Sequence, residues 1–207
     1  MEQNNNIQDA AIDIGNEWLS VLFPMIGTSI STFRTAADAV LLSKIGAILH
    51  STPNIKQWLR IAPYFQREHP QYRNTITNLI YSINAIHEEE SLDVYSNLLH
   101  AWQLQLIGRE MFFRLAWCLP HIYSKDLQQL NSFYMVKRFI SGNAEQMLYN
   151  YGLLEGNSYF AFSEGSSLEA WLSESGLELL RCGLHLDRYD EFHNFDPGQL
   201  INHQIRR

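Results

Sequence analysis

The residues best suited to chemistry lie near the carboxyl end of the chain, in the run Asp187-Arg-Tyr-Asp-Glu-Phe-His193. On a helix, Asp187, Asp190 and Glu191 share one face because they are spaced at i, i+3 and i+4. With His193 they offer the oxygen and nitrogen ligands of a hard-cation or mixed metal site. The interpretation we favour is a solvated acidic helix that Arg188 partly neutralises, so no metal and no other cofactor is predicted.

Arg188 and His193 are also similar in spacing to the catalytic pair of the HEPN ribonuclease family, whose members are helical bundles. The resemblance implies that the arginine would stabilise phosphate charge and that the histidine would act as acid or base. The neighbouring acids would repel an RNA backbone, and Tyr189 stands where the family usually has a polar residue. A small helical enzyme of this kind is therefore kept as an alternative function.

Other catalytic signatures do not occur in the sequence. It has no phosphate-binding glycine loop, no nucleophile elbow and no zinc-ligand spacing among its eight histidines and two cysteines. Cys118 and Cys182 lie in apolar helical runs, which predicts buried free thiols of low reactivity. The chain is predicted not to be an enzyme.

A basic and aromatic segment between Lys56 and Arg73 is the first candidate interface. Such mixing can bind nucleic acid by stacking and phosphate contact, but tryptophan, tyrosine and arginine are also the favoured anchors of protein interfaces. The formal net charge of −7 favours a protein partner and no nucleic acid. An alternative is that Trp58 and Phe65 are core residues. The predicted contact residues in this segment are Trp58, Arg60, Tyr64, Phe65 and Arg67.

An acidic stretch from Glu145 to Asp196 is the second candidate interface, because its ten acids are opposed only by Arg181 and Arg188. Complementary charge mainly raises association rates and selects partners. We therefore expect one or more protein partners with a basic face, steered by Asp187, Asp190 and Glu191.

The composition is that of a folded domain with a sizeable core. Of the 207 residues, 46% are hydrophobic and 18% are charged. The start of the chain has neither the basic nor the apolar region of a signal peptide. The most apolar stretch, residues 36–49, is too short to span a bilayer and contains Asp38 and Lys44. The sequence predicts a cytoplasmic protein without membrane insertion.

Apolar residues recur at helical spacing along most of the chain, which predicts a mainly α fold: an irregular bundle of six to eight helices. Residues 1–6 are predicted to be a disordered tail, residues 7–150 the main bundle and residues 151–207 an acidic lobe packed on it. The longest helix is expected over residues 91–119 and others over 125–140 and 168–181, the last with a break at Gly176. Turn signals on both sides of residues 159–162 predict a small β element there.

In length, acidity and composition, the whole chain resembles acidic bacterial secretion chaperones and adaptors, among them the LvgA-type subunit of the type IV coupling complex. No motif carries this resemblance, so no residue roles transfer from it. It implies docking to the tail of a coupling protein and presentation of effectors for export. The leading hypothesis is thus a non-catalytic adaptor or chaperone, and an immunity or inhibitor protein that neutralises a toxin is the main alternative.

Overall fold

The computed structural model describes residues 36–51, 60–61, 64, 70–156 and 168–192. These residues form two compact units, one that ends at Gln105 and one that begins at Leu106. The described elements are mainly helical and include a small antiparallel sheet, which confirms the predicted fold class. The predicted tail, residues 1–6, lies outside the described residues.

In the described part of the first unit, three helices have similar lengths: α1 (Ala36–Ser51), α2 (Tyr72–Ala85) and α3 (Glu89–Gln103). Helix α1 packs on both α2 and α3. Most of the described apolar residues at helical spacing in this unit are buried, as expected for helices that each cover one face with their neighbours, although Val40 of α1 is 54% exposed. The buried residues include Leu41, Ile45, Ile48, Leu79, Ile83, Tyr95, Leu98, Leu99 and Trp102.

Lys44 connects α1 to the end of α2. Its ammonium group donates hydrogen bonds to the main-chain oxygens of Asn84, at 3.0 Å, and of Ile86. The last carbonyls of a helix have no partner within the helix and carry partial negative charge, so a cation is stabilising there. Burial lowers the pKa of Lys44 from its ordinary value. A second polar link joins α2 to α3, where the hydroxyl groups of Ser82 and Tyr95 are 3.0 Å apart.

The prediction of one long helix over residues 91–119 is wrong. Helix α3 ends at Gln103, and Gln105 adopts a left-handed conformation with φ 63°. The amide groups of Leu104 and Gln105 donate to the carbonyls of His100 and Trp102, which completes the helix terminus. No proline or glycine marks this stop in the sequence before Gly108.

The second unit contains shorter and less regular elements. They are, in chain order, α4 (Arg109–Cys118), a 3₁₀ turn (Leu119–His121), α5 (Ser124–Leu127), a 3₁₀ helix (Gln128–Phe133), β1 (Arg138–Phe139), α6 (Asn143–Asn150), β2 (Leu154–Gly156), β3 (Glu169–Leu172), α7 (Glu174–Glu178), a π-helix (Leu179–Leu184), a 3₁₀ turn (Leu186–Arg188) and α8 (Tyr189–Phe192). The core of this unit includes Phe112, Leu115, Leu127, Leu130, Phe133, Leu148, Leu153, Leu154, Leu172, Leu177 and Leu180.

The sheet has the order β1-β3-β2, and both pairings are antiparallel. Its strands lie at residues 138–139, 154–156 and 169–172, whereas the predicted β element at 159–162 lies outside the described residues. The helices predicted over 125–140 and 168–181 are wrong where they include β1 and β3. Ala170, Trp171 and Leu172 of the central strand are all buried, so β3 lacks the alternation that would reveal a strand. The sheet contains residues from both sides of position 150/151, the predicted boundary between the main bundle and the acidic lobe. That boundary stays a prediction.

Gly176 lies inside α7 and does not break the helix as predicted. The Ser173 hydroxyl accepts a hydrogen bond from the Gly176 amide at 3.0 Å, which caps the helix, and donates to the Gly152 carbonyl at 2.6 Å. A Cβ atom at position 176 would overlap the Leu153 carbonyl oxygen. Glycine is therefore required here by the close approach of α7 to the chain before β2.

Candidate functional site

The structure describes two of the five residues predicted to contact a partner in the basic and aromatic segment. The side chain of Arg60 is exposed, whereas Tyr64 is half-buried with its ring 5.7 Å from that of Trp102. The other three, Trp58, Phe65 and Arg67, lie outside the described residues. The contact role of this segment stays a prediction.

The acidic candidate residues lie near the end of the described chain. Asp187 is exposed in the last 3₁₀ turn, and Asp190 is exposed in α8. The backbone of Glu191 belongs to α8, but its side chain and the whole of His193 lie outside the described residues. Within the described part of the chain, no three metal-ligating side chains cluster. The steering role of Asp187, Asp190 and Glu191 stays a prediction.

Both cysteines are buried and free, as the sequence predicts. Burial raises the pKa of the Cys118 thiol to about 11, and the nearby Arg114 charge only partly opposes this effect. Burial raises the pKa of Cys182 as well, and the carboxylate of Glu178 raises it further. Because the thiolate is the nucleophile, neither sulfur is suited to nucleophilic catalysis.

Glu110 and Arg114, which the sequence places one helical turn apart inside an apolar run, are both exposed on α4. The Arg114 guanidinium donates a hydrogen bond to the Ser175 hydroxyl at 3.4 Å.

Among the described residues of the second unit, the segment around β1 carries three exposed apolar side chains within five positions. Met135, Val136 and Phe139 are 57%, 45% and 58% exposed. Together with Lys137 and Arg138 they make up residues 135–139, which we call the β1 patch. Clustered apolar side chains beside charged ones are typical of protein interaction sites.

The β1 patch is held in place by local hydrogen bonds on both sides. Before the strand, Met135 adopts a left-handed conformation with φ 60°, two residues after the 3₁₀ helix that ends at Phe133, and the Val136 amide donates to the Phe133 carbonyl at 3.4 Å. After the strand, the Glu145 carboxylate accepts hydrogen bonds from Ser141 and from the Gly142 amide, the latter at 3.0 Å. The patch is thus presented between two fixed turns.

The charge of Arg138, in the β1 patch, contributes to the pKa shift of Glu145. Burial by itself would raise the pKa of Glu145, but the hydrogen bonds from Ser141 and Gly142 and the charge of Arg138 outweigh burial and hold it below its ordinary value. The carboxylate is therefore charged at neutral pH and fixes the turn that follows β1.

Two cations of the β1 patch lie on aromatic rings. The Lys137 ammonium is 4.9 Å from the ring centre of Trp171, and the Arg138 guanidinium is 5.8 Å from that of Phe133. These distances suit cation–π interactions, which orient the charges without neutralising them. The indole N–H of Trp171 is buried and has no hydrogen-bond partner, which is an uncommon state for a buried donor.

A second group of exposed aromatic side chains lies elsewhere in this unit. The ring of His121 stacks on Tyr151 at 5.5 Å between ring centres, and its other neighbour, Trp117, is 66% exposed.

The sequence contained a signal for β1 that the helical interpretation missed. Val136, Phe139 and Ile140 are β-branched or aromatic residues, which favour strands, although apolar and charged residues do not alternate along this run. The run also ends shortly before Gly142. Its two adjacent cations are typical of solvent-facing positions, which is what the structure shows for Arg138.

Among the described residues, none of the helices has both the length and the apolar character needed to cross a membrane. Comparisons with protein-family models, with curated proteins and with solved structures each find no match to this chain. A functional proposal therefore rests on the geometry of the described residues.

Proposed function

We propose that this protein is a non-catalytic adaptor or chaperone that binds another protein. The observation that carries the proposal is the β1 patch: three strongly exposed apolar side chains beside two oriented cations on a sheet edge. Apolar anchors supply most of the affinity of an interface, and arginine is enriched among its strongest contacts. Raised pKa values at both thiols support a binding role over thiol catalysis.

The finer form of the proposal is a bacterial adaptor of the secretion type that the composition resembles, acting in the cytoplasm. Two buried free cysteines suit a reducing compartment. The acidic stretch that contains Asp187 and Asp190 would then select among partners by charge, while the β1 patch anchors them.

A pull-down with the full-length chain tests the proposal. The wild type is compared with the double variant Val136→Ser/Phe139→Ser and with the matched control Tyr123→Ser, which removes a side chain that is 72% exposed outside the patch. We expect a partner that wild type and control retain and that the patch variant loses. The purified partner should then bind directly with the same ranking. Identical sets of captured proteins for all three baits would reject the patch as an interface.

The same preparations separate this proposal from the nuclease alternative. Purified protein should leave RNA intact. RNA cleavage that disappears in both Arg188→Ala and His193→Ala would favour the HEPN-like enzyme instead.

A further inference from the structure

We infer that the free edge of β1 binds an extended, acidic segment of the partner as a fourth strand of the sheet. The inference rests on the protein-binding function proposed above and names the chemistry of what is bound.

The backbone of β1 has an open side. The Ile140 amide donates to the Leu168 carbonyl at 2.8 Å, so the next pair along the ladder, Phe139 with Glu169, is of the type without mutual hydrogen bonds. The N–H and C=O groups of Phe139 therefore point away from β3. Because β1 is the terminal strand of the described sheet, an added strand can pair with these groups.

The charge of the edge selects an acidic occupant. Lys137 and Arg138 belong to the β1 side of the sheet, whereas the opposite edge strand, β2, carries the exposed Glu155. An acidic peptide is thus favoured at β1 and disfavoured at β2.

Lys137 indicates where a carboxylate of the added strand would bind. Its ammonium lies over the ring of Trp171, on the face of the sheet that Lys137 and Phe139 share by alternation. A glutamate of the added strand on this face can pair with the Lys137 ammonium, which the Trp171 ring orients.

Nucleic acid is the competing class of ligand for a surface with two cations and an exposed phenylalanine. The free backbone N–H and C=O groups of Phe139 match a peptide strand rather than a phosphate chain. An acidic peptide is therefore the favoured ligand of the β1 edge.

The test is fluorescence anisotropy with three labelled peptides and the full-length protein. The peptides alternate valine with glutamate, glutamine or lysine, and a labelled uridine oligonucleotide is the fourth probe. We expect the glutamate peptide to bind at least about tenfold more tightly than the glutamine peptide, with an advantage that falls as salt rises. Equal affinity for these two peptides, or tighter binding of the oligonucleotide, would overturn the inference.

Variants of the protein test each element separately. Phe139→Pro removes the outward N–H but no bond between β1 and β3, and Phe139→Ala is its matched control because it loses the same ring. Lys137→Gln is paired with Lys125→Gln, at an exposed lysine elsewhere. Circular dichroism checks that each variant is folded.

We expect Phe139→Pro to bind the glutamate peptide at least about tenfold more weakly than Phe139→Ala. Lys137→Gln should abolish the preference for glutamate over glutamine. A proline variant that binds like its alanine control would exclude strand addition. If the pull-down partner still needs the β1 patch in that case, the proposed function stands and only the strand-addition inference fails.

Discussion

In the unit that ends at Gln105, helices of 14 to 16 residues pack along continuous apolar stripes, whereas the unit from Leu106 onward joins a three-stranded sheet to helices of 4 to 10 residues. Long helices gain most of their stability from one buried face, so their stability is distributed over many contacts and no single contact dominates it. Short helices and two-residue strands depend instead on individual caps and close approaches. The second unit should therefore be more sensitive to single substitutions at such points, and it is also the unit that presents the β1 patch.

The largest effect is expected at Gly176. Gly176→Ala places a methyl group against the Leu153 carbonyl oxygen, so α7 must move away from the chain before β2. We expect a loss of about 3 kcal/mol in the free energy of unfolding, measured by urea denaturation. Gly108→Ala is the matched control, because nothing lies within 4 Å of its Cβ position. Equal losses for both variants would remove the close approach as the cause.

An intermediate effect is expected at Lys44 in the first unit. Lys44→Met keeps much of the aliphatic stem but removes the donor to the carbonyls at the end of α2. We expect a loss of about 1–2 kcal/mol in the free energy of unfolding. Lys125→Met, at an exposed lysine, should change stability by less than about 0.5 kcal/mol. A cost at Lys44 as large as that at Gly176 would contradict the contrast between the two units.

The smallest effect is expected at Glu145, and it should depend on pH. The pKa of this carboxyl is lowered in the folded state, so its contribution is fully present above the ordinary value of 4.5 and is lost as the pH falls through the folded-state value. Glu145→Gln should cost about 1 kcal/mol at pH 7 and much less at pH 3. Urea denaturation at both pH values measures this difference. Glu155→Gln, at an exposed carboxylate of β2, is the control, and a cost at Glu145 that did not change with pH would reject the linkage.

The first unit could be predicted from the sequence because its signals are local. Leu79 and Ile83 in α2, and Tyr95, Leu99 and Trp102 in α3, lie at helical spacing and are buried as predicted. The end of α3 could not be predicted, because Gln105 takes a left-handed conformation that sequence normally marks with glycine. Its stop is therefore set by tertiary structure.

The secondary structure of the second unit could be predicted only in part, because its strands form through contacts between residues that are distant in the sequence. Leu168, Trp171 and Leu172 fit a helical stripe, yet they belong to or adjoin a central strand whose neighbours come from residues 138–139 and 154–156. No local pattern distinguishes a short strand buried on both faces from a buried helical turn. The candidate site was missed for the same reason, since β1 becomes an edge only through its pairing with β3.

The burial of both native cysteines makes the wild-type chain a convenient background for site-specific labelling. With the pKa of Cys118 near 11 and that of Cys182 raised further, almost no thiolate is present at neutral pH. A cysteine introduced at an exposed position, such as Met135 or Tyr123, should therefore react with maleimide dyes long before either native thiol. Spectroscopic probes can thus be attached beside the β1 patch, or away from it, while both native core residues stay in place.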